Sequence, residues 1–283
     1  MKVAEALRDG AKRLEPAGDT ARLDAEVLMA HALGVERSQL LLHHMDDPAP
    51  AAFAGLVERR AHHEPVAYIA GMQEFFGRSF LVTPDVLIPR ADSETTVEAA
   101  LAACPEPARV LDCGVGSGAS LLTVLAERPN AEGIGVDRSL GALAVASANA
   151  ARLGLAGRCR MLARDWHDPE WRDGLGQFDL ILANPPYVET GAKLSPDVRD
   201  FEPAGALFAG SDGLDDYRAL IPQLPHLLSE NGTAVLEIGA GQADMVCKLA
   251  ELTGFSAQLH KDLAARPRAL SLKLGLGKSD SAG

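Results

Sequence analysis

Four consecutive residues, Asn184, Pro185, Pro186 and Tyr187, could bind a planar group that carries an NH2. The two prolines donate no backbone hydrogen bond and end an apolar run, residues 178–183, which predicts a buried strand. Asn184 offers a side-chain acceptor and donor, and Tyr187 offers an aromatic face. An amide or the exocyclic amine of a base would fit this acceptor-rich corner. A simple turn is the alternative, because Asn-Pro and Pro-Pro are ordinary loop sequences.

A glycine-rich loop follows an earlier predicted strand, residues 109–113, and precedes a predicted helix. Glycine at such a position lets backbone amides approach a ligand closely. The spacing is Gly-x-Gly-x-Gly rather than the Gly-x-Gly-x-x-Gly of dinucleotide sites, which favours a nucleoside cofactor without a pyrophosphate, such as S-adenosylmethionine. The candidate cofactor-binding residues of this loop are Asp112, Gly114, Val115, Gly116, Ser117 and Gly118.

The next two predicted strands also end in polar or aromatic residues. Asp137 could accept both hydroxyls of a ribose, and Arg138 follows it in the candidate cofactor site. Asp165 could accept from an adenine amine while Trp166 packs on the base; a structural role in the core or at the surface is the alternative for both. Because ligands of open α/β sheets bind at the carboxyl ends of the strands, these strand ends together indicate one binding site.

Alternating strands and helices from residue 109 onward predict an α/β fold with a doubly wound, Rossmann-like sheet of seven strands. Residues 214–229 are predicted to form one helix, and residues 188–213 a long, mobile substrate loop. The predicted strands are residues 109–113, 132–137, 158–163, 178–183, 233–239, 255–261 and 267–274.

The sequence before this pattern predicts a separate helical domain, residues 1–72. Asp19 or Thr20 is expected to cap its second helix, and Asp47 to open its fourth. Strand formers then predict a linking β-hairpin over residues 73–89. The sheet domain follows over residues 90–275, and residues 276–283 form a Gly/Ser-rich tail that is expected to be disordered.

The formal net charge of −12 argues against a nucleic-acid partner, because such binding depends on Lys and Arg contacts to phosphates.

Four scattered cysteines without a Cys-x-x-Cys pair indicate reduced thiols, and the adjacent histidine pairs have poor geometry for a metal. The charged start is unlike a signal peptide, and no apolar run approaches the roughly 18 residues of a membrane span. We expect a cytoplasmic monomer that binds no metal, membrane or nucleic acid directly.

The motifs at the four strand ends resemble those of class I S-adenosylmethionine-dependent methyltransferases. The flanking sequence is similar to the HemK/PrmC family of release factor glutamine methyltransferases in the stretches 64–71, 86–94, 201–203, 211–214, 236–239 and 261–263. The resemblance, from about residue 20 to 272, implies a class I methyltransferase sheet and S-adenosylmethionine as cofactor, with S-adenosylhomocysteine as product. It implies that the methyl acceptor is the glutamine in the Gly-Gly-Gln motif of class 1 peptide chain release factors, which the helical domain helps to dock.

The resemblance also implies roles for individual residues. Residues 114–118, Asp137, Trp166 and Asn184 are implied to contact the cofactor, and the Asn-Pro-Pro-Tyr segment is implied to hold the glutamine. Departures from the family pattern bear on cofactor affinity rather than on reaction type, since only one of them, Val115, removes a hydroxyl contact. The departures are Ala91, Cys113, Val115, Ala265 and Pro267.

Three further residues complete the candidate substrate site. Phe76 would pack against the apolar stem of the glutamine, and Arg90 and Glu94 would border the substrate cleft. For Arg90 and Glu94 the alternative is a plain helix start, capped by Asp92 or Ser93.

A mechanism follows from the chemistry of the corner. Asn184 Oδ1 and the carbonyl of Pro185 would accept both N–H bonds of the amide and hold its nitrogen in line with the sulfonium methyl, while the proton leaves late, to water.

The rival functions are a glutamine methyltransferase for another protein, such as a ribosomal protein, an N6-adenine nucleic-acid methyltransferase, and a non-catalytic cofactor-binding protein. The nucleic-acid enzyme would need a basic channel, whereas residues 1–72 contain 8 Lys or Arg against 11 Asp or Glu. The intact Asn184 corner argues against a non-catalytic protein.

Overall fold

The computed structural model describes residues 1–275, which form two compact units. The first, the helical unit, comprises Met1–Met72, Val82–Pro84 and Leu194–Glu202. The second, the sheet unit, comprises Gln73–Leu81, Asp85–Lys193 and the described chain from residue 203 onward. The predicted tail, residues 276–283, lies outside the described residues.

The helical unit contains short helices around an apolar core that includes Leu7, Leu28 and Phe53. The second helix ends at Leu33, and the φ of 69° at the following Gly34 turns the chain so that the amide of Val35 donates to the carbonyl of Ala30. The first five helices are α1 Val3–Leu14, α2 Ala21–Leu33, α3 Arg37–His43, α4 Phe53–Ala61 and α5 Val66–Ala70.

The sheet unit contains a small hairpin and one seven-stranded sheet in the order β5-β4-β3-β6-β7-β9-β8. Strands β3 to β7 pair in parallel, and β9 lies antiparallel between β7 and β8. The hairpin strands are β1 Met72–Phe75 and β2 Arg78–Leu81. The sheet strands are β3 Arg109–Cys113, β4 Glu132–Asp137, β5 Cys159–Ala163, β6 Phe178–Ala183, β7 Leu228–Glu237, β8 Phe255–Lys261 and β9 Pro267–Leu274.

Helices connect these strands and cover the sheet. They are α6 Glu94–Ala103, α7 Ala119–Glu127, α8 Leu140–Arg152, α10 Asp215–Leu220 and α11 Ala243–Leu252, while α9 Pro196–Phe201 belongs to the helical unit. Helix α7 packs directly on the backbone of β4, because a Cβ on Gly133 would lie only 2.8 Å from Leu121 Cδ1. None of the helices in residues 1–275 has the length and apolar character to cross a bilayer.

The direction of the chain reverses between β3 and β6. From β3 the chain moves outward through β4 to β5, and it then returns to the other side of β3. Such a reversal is a topological switch point, where open α/β sheets bind their ligands. The register pairs Ala183, the last residue of β6, with Cys113 of β3 and with Leu236 of β7. The residues that come next on these three strands are Gly114, Asn184 and Glu237.

The predicted seven-stranded, doubly wound sheet is confirmed, and the bounds of β3, β4, β6, β8 and β9 agree to the residue. The single helix predicted for residues 214–229 is wrong. Helix α10 ends at Leu220 and is followed by the 3-10 helix Ile221–His226, and β7 begins at Leu228. Pro222 and Pro225 explain the difference, because proline has no amide for the α-helical hydrogen bond.

Three smaller predictions also need correction. Thr20 and Ser93 occupy the N-cap positions of α2 and α6, but neither side chain makes a capping hydrogen bond, because neither residue has the extended backbone that such a cap requires. The fourth helix begins at Phe53 rather than at Asp47, since Pro48 pairs with Lys2 in an isolated β-bridge. The connection over residues 188–213 also contains α9 and the 3-10 helix Ala204–Ala206.

Candidate active site

The loop after β3 exposes backbone where side chains would not fit. Gly114, Gly116 and Gly118 have φ values of 79°, 52° and 83°, in the left-handed region that favours glycine. A Cβ on Gly114 would lie 3.3 Å from Cη2 of Trp166, and a Cβ on Gly118 would lie 2.9 Å from Leu122. The loop therefore brings bare backbone to the switch point between β3 and β6.

Asp112 is buried directly beneath this loop. Its carboxyl accepts a hydrogen bond from the backbone amide of Leu121, in the first turn of α7. The pKa of Asp112 is raised to about 8, mainly by burial and to a smaller extent by the nearby negative charge of Asp137, against the lowering effect of the Leu121 hydrogen bond. The carboxyl therefore titrates within the physiological range when no cation lies beside it.

Asp137 ties the end of β4 to the glycine loop. Its Oδ2 accepts from the Gly116 amide at 3.0 Å, and its Oδ1 accepts from the Ser139 amide at 2.9 Å. A carboxylate has about four acceptor positions, so two remain for ligand hydroxyls. Arg138 is exposed and donates from Nη2 to the carbonyl of Gly205 at 2.7 Å, which holds the turn at residues 203–206.

Trp166 is held by hydrogen bonds at both its ring and its backbone. Its Nε1 donates to Asp216 Oδ1 at 2.9 Å, and its carbonyl accepts from Gln223 at 2.8 Å. Asp165 Oδ1 accepts from the amide and the ring of His167 at 3.0 and 2.9 Å. Burial raises the pKa of Asp165, but these bonds outweigh it and lower the pKa, so Asp165 stays ionised.

The side chain of Asn184 forms a hydrogen bond with the buried carboxylate of Glu237, the last residue of β7. An ionised carboxylate can only accept, so the atom of Asn184 that faces it is the NH2 nitrogen Nδ2. The remaining polar atom, Oδ1, is then the acceptor that Asn184 can offer to a ligand. Asn184 also lies beside the glycine loop, since a Cβ on Gly114 would be 4.0 Å from its carbonyl oxygen.

The rest of the Asn-Pro-Pro-Tyr segment is fixed by its neighbours. Pro185 and Pro186 are buried, and the carbonyl of Tyr187 accepts from Gln242 Nε2 at 3.0 Å. The same Nε2 donates to the carbonyl of Gly213 at 3.1 Å. Burial raises the pKa of Tyr187 to about 12, so its phenol stays neutral and can donate a hydrogen bond.

One cleft in the sheet unit gathers most of the predicted site residues. Those that line it are Arg90, Asp112, Gly114, Val115, Gly116, Ser117, Asp137, Arg138, Asp165, Trp166, Asn184 and Pro186. Those outside its lining are Phe76, Glu94, Gly118, Pro185 and Tyr187. Glu94 instead accepts from the amide of Phe76 at 2.7 Å and so holds the turn of the β1–β2 hairpin. Val115 fills space against Gly135, where a Cβ would lie 2.7 Å from its Cγ2.

The cleft also contains residues that sequence reasoning did not assign to it. They are Phe75, Asp85, Val86, Leu87, Pro89, Ser93, Ala119, Ser120, Ser139, Ala142, Arg164, Pro203, Gly205 and Ala206. Five of these residues lie in the stretches 86–94 and 201–203 that carry the family resemblance, which was the one available signal for them: Val86, Leu87, Pro89, Ser93 and Pro203. The other residues reach the cleft through tertiary folding alone.

Comparison with known proteins gives the family. Residues 5–71 match the model of the PrmC N-terminal domain, and residues 106–204 match a methyltransferase domain. A release factor glutamine methyltransferase of Cereibacter sphaeroides is 45% identical over 285 residues, covering 97% of this chain and 99% of the relative. This chain belongs to the release factor glutamine methyltransferase family. The resemblance found in the sequence is thereby confirmed.

Further relatives agree with this assignment. A family member from Geobacter sulfurreducens is 44% identical over 243 residues, which is 84% of each chain. The solved structure of a ribosomal protein L11 methylase from Lactobacillus delbrueckii subsp. bulgaricus has a TM-score of 0.50 at 21% identity, covering 71% of this chain and 89% of that chain. That structure shares the class I methyltransferase fold. The chain is an S-adenosylmethionine-dependent methyltransferase of the glutamine-modifying family.

Proposed function

We propose that this enzyme transfers the methyl group of S-adenosylmethionine to the side-chain amide nitrogen of the glutamine in the Gly-Gly-Gln motif of class 1 peptide chain release factors. Family membership supports the substrate class. The observation that carries the reaction is the adjacency of Asn184 and Gly114, which follow the paired residues Ala183 and Cys113 at the switch point of the sheet. This arrangement puts an amide acceptor next to a loop suited to a nucleoside cofactor.

The lining of the cleft fits S-adenosylmethionine. Bare backbone at Gly114 and Gly116 leaves room that a Cβ would fill, and Asp137 keeps two acceptor positions for the ribose hydroxyls. Trp166 offers a ring that its neighbours hold in place, and Asp165 offers an ionised carboxylate next to it. Asp112 lies near the start of α7 with a raised pKa of about 8, and a cationic ligand beside it would favour its charged form.

When bound, the cofactor supplies an electrophilic methyl group on a sulfonium. Asn184 Oδ1 and the Pro185 carbonyl would accept the two N–H bonds of the glutamine and orient its nitrogen towards that methyl group. Both acceptors would stabilise the positive charge that develops on the glutamine nitrogen as the methyl group passes to it from the sulfur. One N–H proton then leaves to water, which restores the neutral amide.

Docking of the protein substrate is assigned to the helical unit, whose residues 5–71 match the PrmC N-terminal domain. Its acidic balance and the overall charge of −12 disfavour direct nucleic-acid binding. We propose that the enzyme acts as a monomer on the free release factor, and that Tyr187 and Phe76 pack against the apolar stem of its glutamine.

The substrate is tested by incubating the enzyme with methyl-labelled S-adenosylmethionine and, in separate reactions, a release factor, the same factor with Gly-Gly-Ala, ribosomal protein and nucleic acid. We expect label on the intact release factor alone, located by mass spectrometry on the motif glutamine. Label on a ribosomal protein or on adenine, with none on the release factor, would contradict the proposed substrate.

A further inference from the structure

Glu237 is a buried acid next to the reacting corner that the mechanism above does not use. It ends β7 and is only 2% exposed. Its backbone carbonyl accepts from the Tyr217 hydroxyl at 2.8 Å, and its side chain accepts from Ser93 and Asn184. It belongs to the stretch 236–239 that carries the family resemblance, but its residue type and position predicted no role for it.

A carboxylate at this position is costly, because burial penalises the charged form. The positive charge of Arg268 stabilises the charged form of Glu237, but Arg268 also forms ion pairs with two other carboxylates. Its Nη2 lies 2.6 Å from Asp92 Oδ2, and its Nε lies 3.2 Å from Asp262 Oδ2. Burial accordingly raises the pKa of Glu237 to about 7. A buried carboxylate that destabilises the fold and yet contacts the side-chain amide of Asn184 indicates a functional role.

We propose that Glu237 is a positioning residue, whose carboxylate fixes the orientation of the Asn184 amide so that Oδ1, and not Nδ2, is presented to the glutamine NH2. This role rests on the proposed function. The two ends of an amide are nearly equal in size, so packing alone does not select between them. A flipped Asn184 would set its NH2 against the NH2 of the substrate. A neighbour that can only accept removes that alternative.

The negative charge adds a second effect. A carboxylate on the Nδ2 side polarises the amide and makes Oδ1 a stronger acceptor, at the point where the glutamine nitrogen becomes positive. A protonated Glu237 loses this charge and also becomes a donor, which can pair with Oδ1 and favour the flipped amide. The ionised form is therefore the active one, and methylation should fall as pH decreases through about 7.

Several groups face Glu237 and set this titration. Asp92 raises the pKa of Glu237 by repulsion, whereas Arg268 and the hydrogen bonds from Ser93 and Asn184 lower it. The hydroxyls of Tyr187 and Tyr217 also lie close enough for Glu237 to raise their own pKa values. By element, these groups precede α6 (Asp92, Ser93), follow β6 (Asn184, Tyr187), lie on β9 (Arg268) and lie on α10 (Tyr217).

The kinetic test compares the wild type with Glu237→Gln and Glu237→Leu on a release factor between pH 6 and pH 9. Gln keeps the shape but offers a donor as well as an acceptor, and Leu leaves the Asn184 NH2 unpaired. We expect kcat at pH 8 to fall about tenfold in Glu237→Gln and further in Glu237→Leu, with affinity for S-adenosylhomocysteine changed less than about threefold. The fall in activity towards low pH should disappear in Glu237→Gln.

The matched control is Asp179→Asn, near the opposite end of β6. Asp179 accepts from the amides of Ala108 and Arg109 and from Ser229, so its role is structural. This variant should lower stability without moving the pH profile. A Glu237→Gln enzyme with wild-type kcat and an unchanged pH profile would overturn the positioning role.

A second readout does not depend on the substrate. The chain contains four asparagines, so Asn-selective ¹⁵N labelling gives four side-chain NH2 pairs, and Asn184→Ala identifies the pair of Asn184. We expect that pair to shift with pH, with a midpoint near 7, in the wild type and to be independent of pH in Glu237→Gln. If the NH2 resonances of Asn184 change neither with pH nor in Glu237→Gln, the contact between Asn184 and Glu237 is refuted. If the contact is observed but no release factor is methylated, the proposed function fails and the positioning role of Glu237 fails with it.

Discussion

The backbone amide of Gly116 donates a 3.0 Å hydrogen bond to Asp137 Oδ2, which joins the loop after β3 to the carboxylate after β4. The second carboxylate oxygen is held by the amide of Ser139 at 2.9 Å. Two of the elements assigned to the cofactor are therefore locked together before any ligand binds. Preorganisation of this kind lowers the cost of ordering the site on binding.

Asp137→Ala should weaken cofactor binding by removing both the ribose acceptor and the anchor of the glycine loop. Loss of hydrogen bonds to a charged group predicts about a tenfold to hundredfold increase in Kd. Isothermal titration calorimetry with S-adenosylhomocysteine measures this Kd in the variant and in the wild type. The control is Glu132→Ala, an exposed acid at the opposite end of β4, which should bind as the wild type does. Equal affinities of Asp137→Ala and the wild type would contradict the ribose role.

Gly114→Ala should also impair cofactor binding, for a steric reason. The added Cβ would lie 3.3 Å from the ring of Trp166, on a backbone with φ of 79°. Gly154→Ala is the control that distinguishes backbone strain from steric contact with Trp166. Gly154 has a similar φ of 72°, but a new Cβ there would have no heavy atom within 4 Å. Both variants should lose about 1 kcal/mol of folding free energy, and only Gly114→Ala should lose binding. A Gly154→Ala enzyme with equally poor binding would show that general strain is the cause.

The stability of the ligand-free enzyme should decrease as pH rises from about 5 to about 8. Burial raises the pKa of Asp112 to about 8 and that of Glu237 to about 7, so the folded state binds these protons more tightly than the unfolded state. Stability from such groups is present below the unfolded pKa values and is lost as pH rises through the folded ones. Urea unfolding at several pH values measures the slope of the unfolding free energy against pH.

Asp112→Asn and Glu237→Gln should each reduce that slope and make the protein more stable than the wild type at pH 8. Asp262 is a suitable control, because hydrogen bonds and positive charge from Arg266 and Arg268 outweigh its burial and lower its pKa to about 2, so it does not titrate in this range. If Glu237→Gln were less stable than the wild type at pH 8, Glu237 would be acting as a structural anchor. A gain in stability together with a loss of kcat is typical of a residue kept for function.

The strand ends could be predicted from sequence because their signals are local. An apolar run that stops at Asn184 or at Asp112 identifies both a buried strand and a polar side chain at its end. The same local patterns gave the bounds of β3 and β6 to the residue. The error at residues 214–229 came from apolar spacing that fits a helix, although two prolines in the segment prevent one.

The remainder of the site depends on contacts between residues that are distant in sequence. Glu237 meets Asn184 because β6 and β7 are neighbours with a particular register, which a single sequence does not specify. Arg138 meets Gly205 across 67 positions, and Glu94 meets Phe76, in the turn of the β1–β2 hairpin, across 18 positions. Residue types alone predicted a cleft position for Glu94, whereas the fold uses its carboxylate to hold a backbone amide.

Asn184 is proposed to hold the glutamine of the release factor for methylation. The most direct test of this role is the rate of methylation of the Gly-Gly-Gln glutamine by Asn184→Ala, measured by mass spectrometry beside the affinity for S-adenosylhomocysteine. Removing one preorganised acceptor should lower kcat by about a hundredfold or more, while the cofactor still binds within about tenfold of the wild type. Methylation of that glutamine by Asn184→Ala at a rate near that of the wild type would contradict the mechanism.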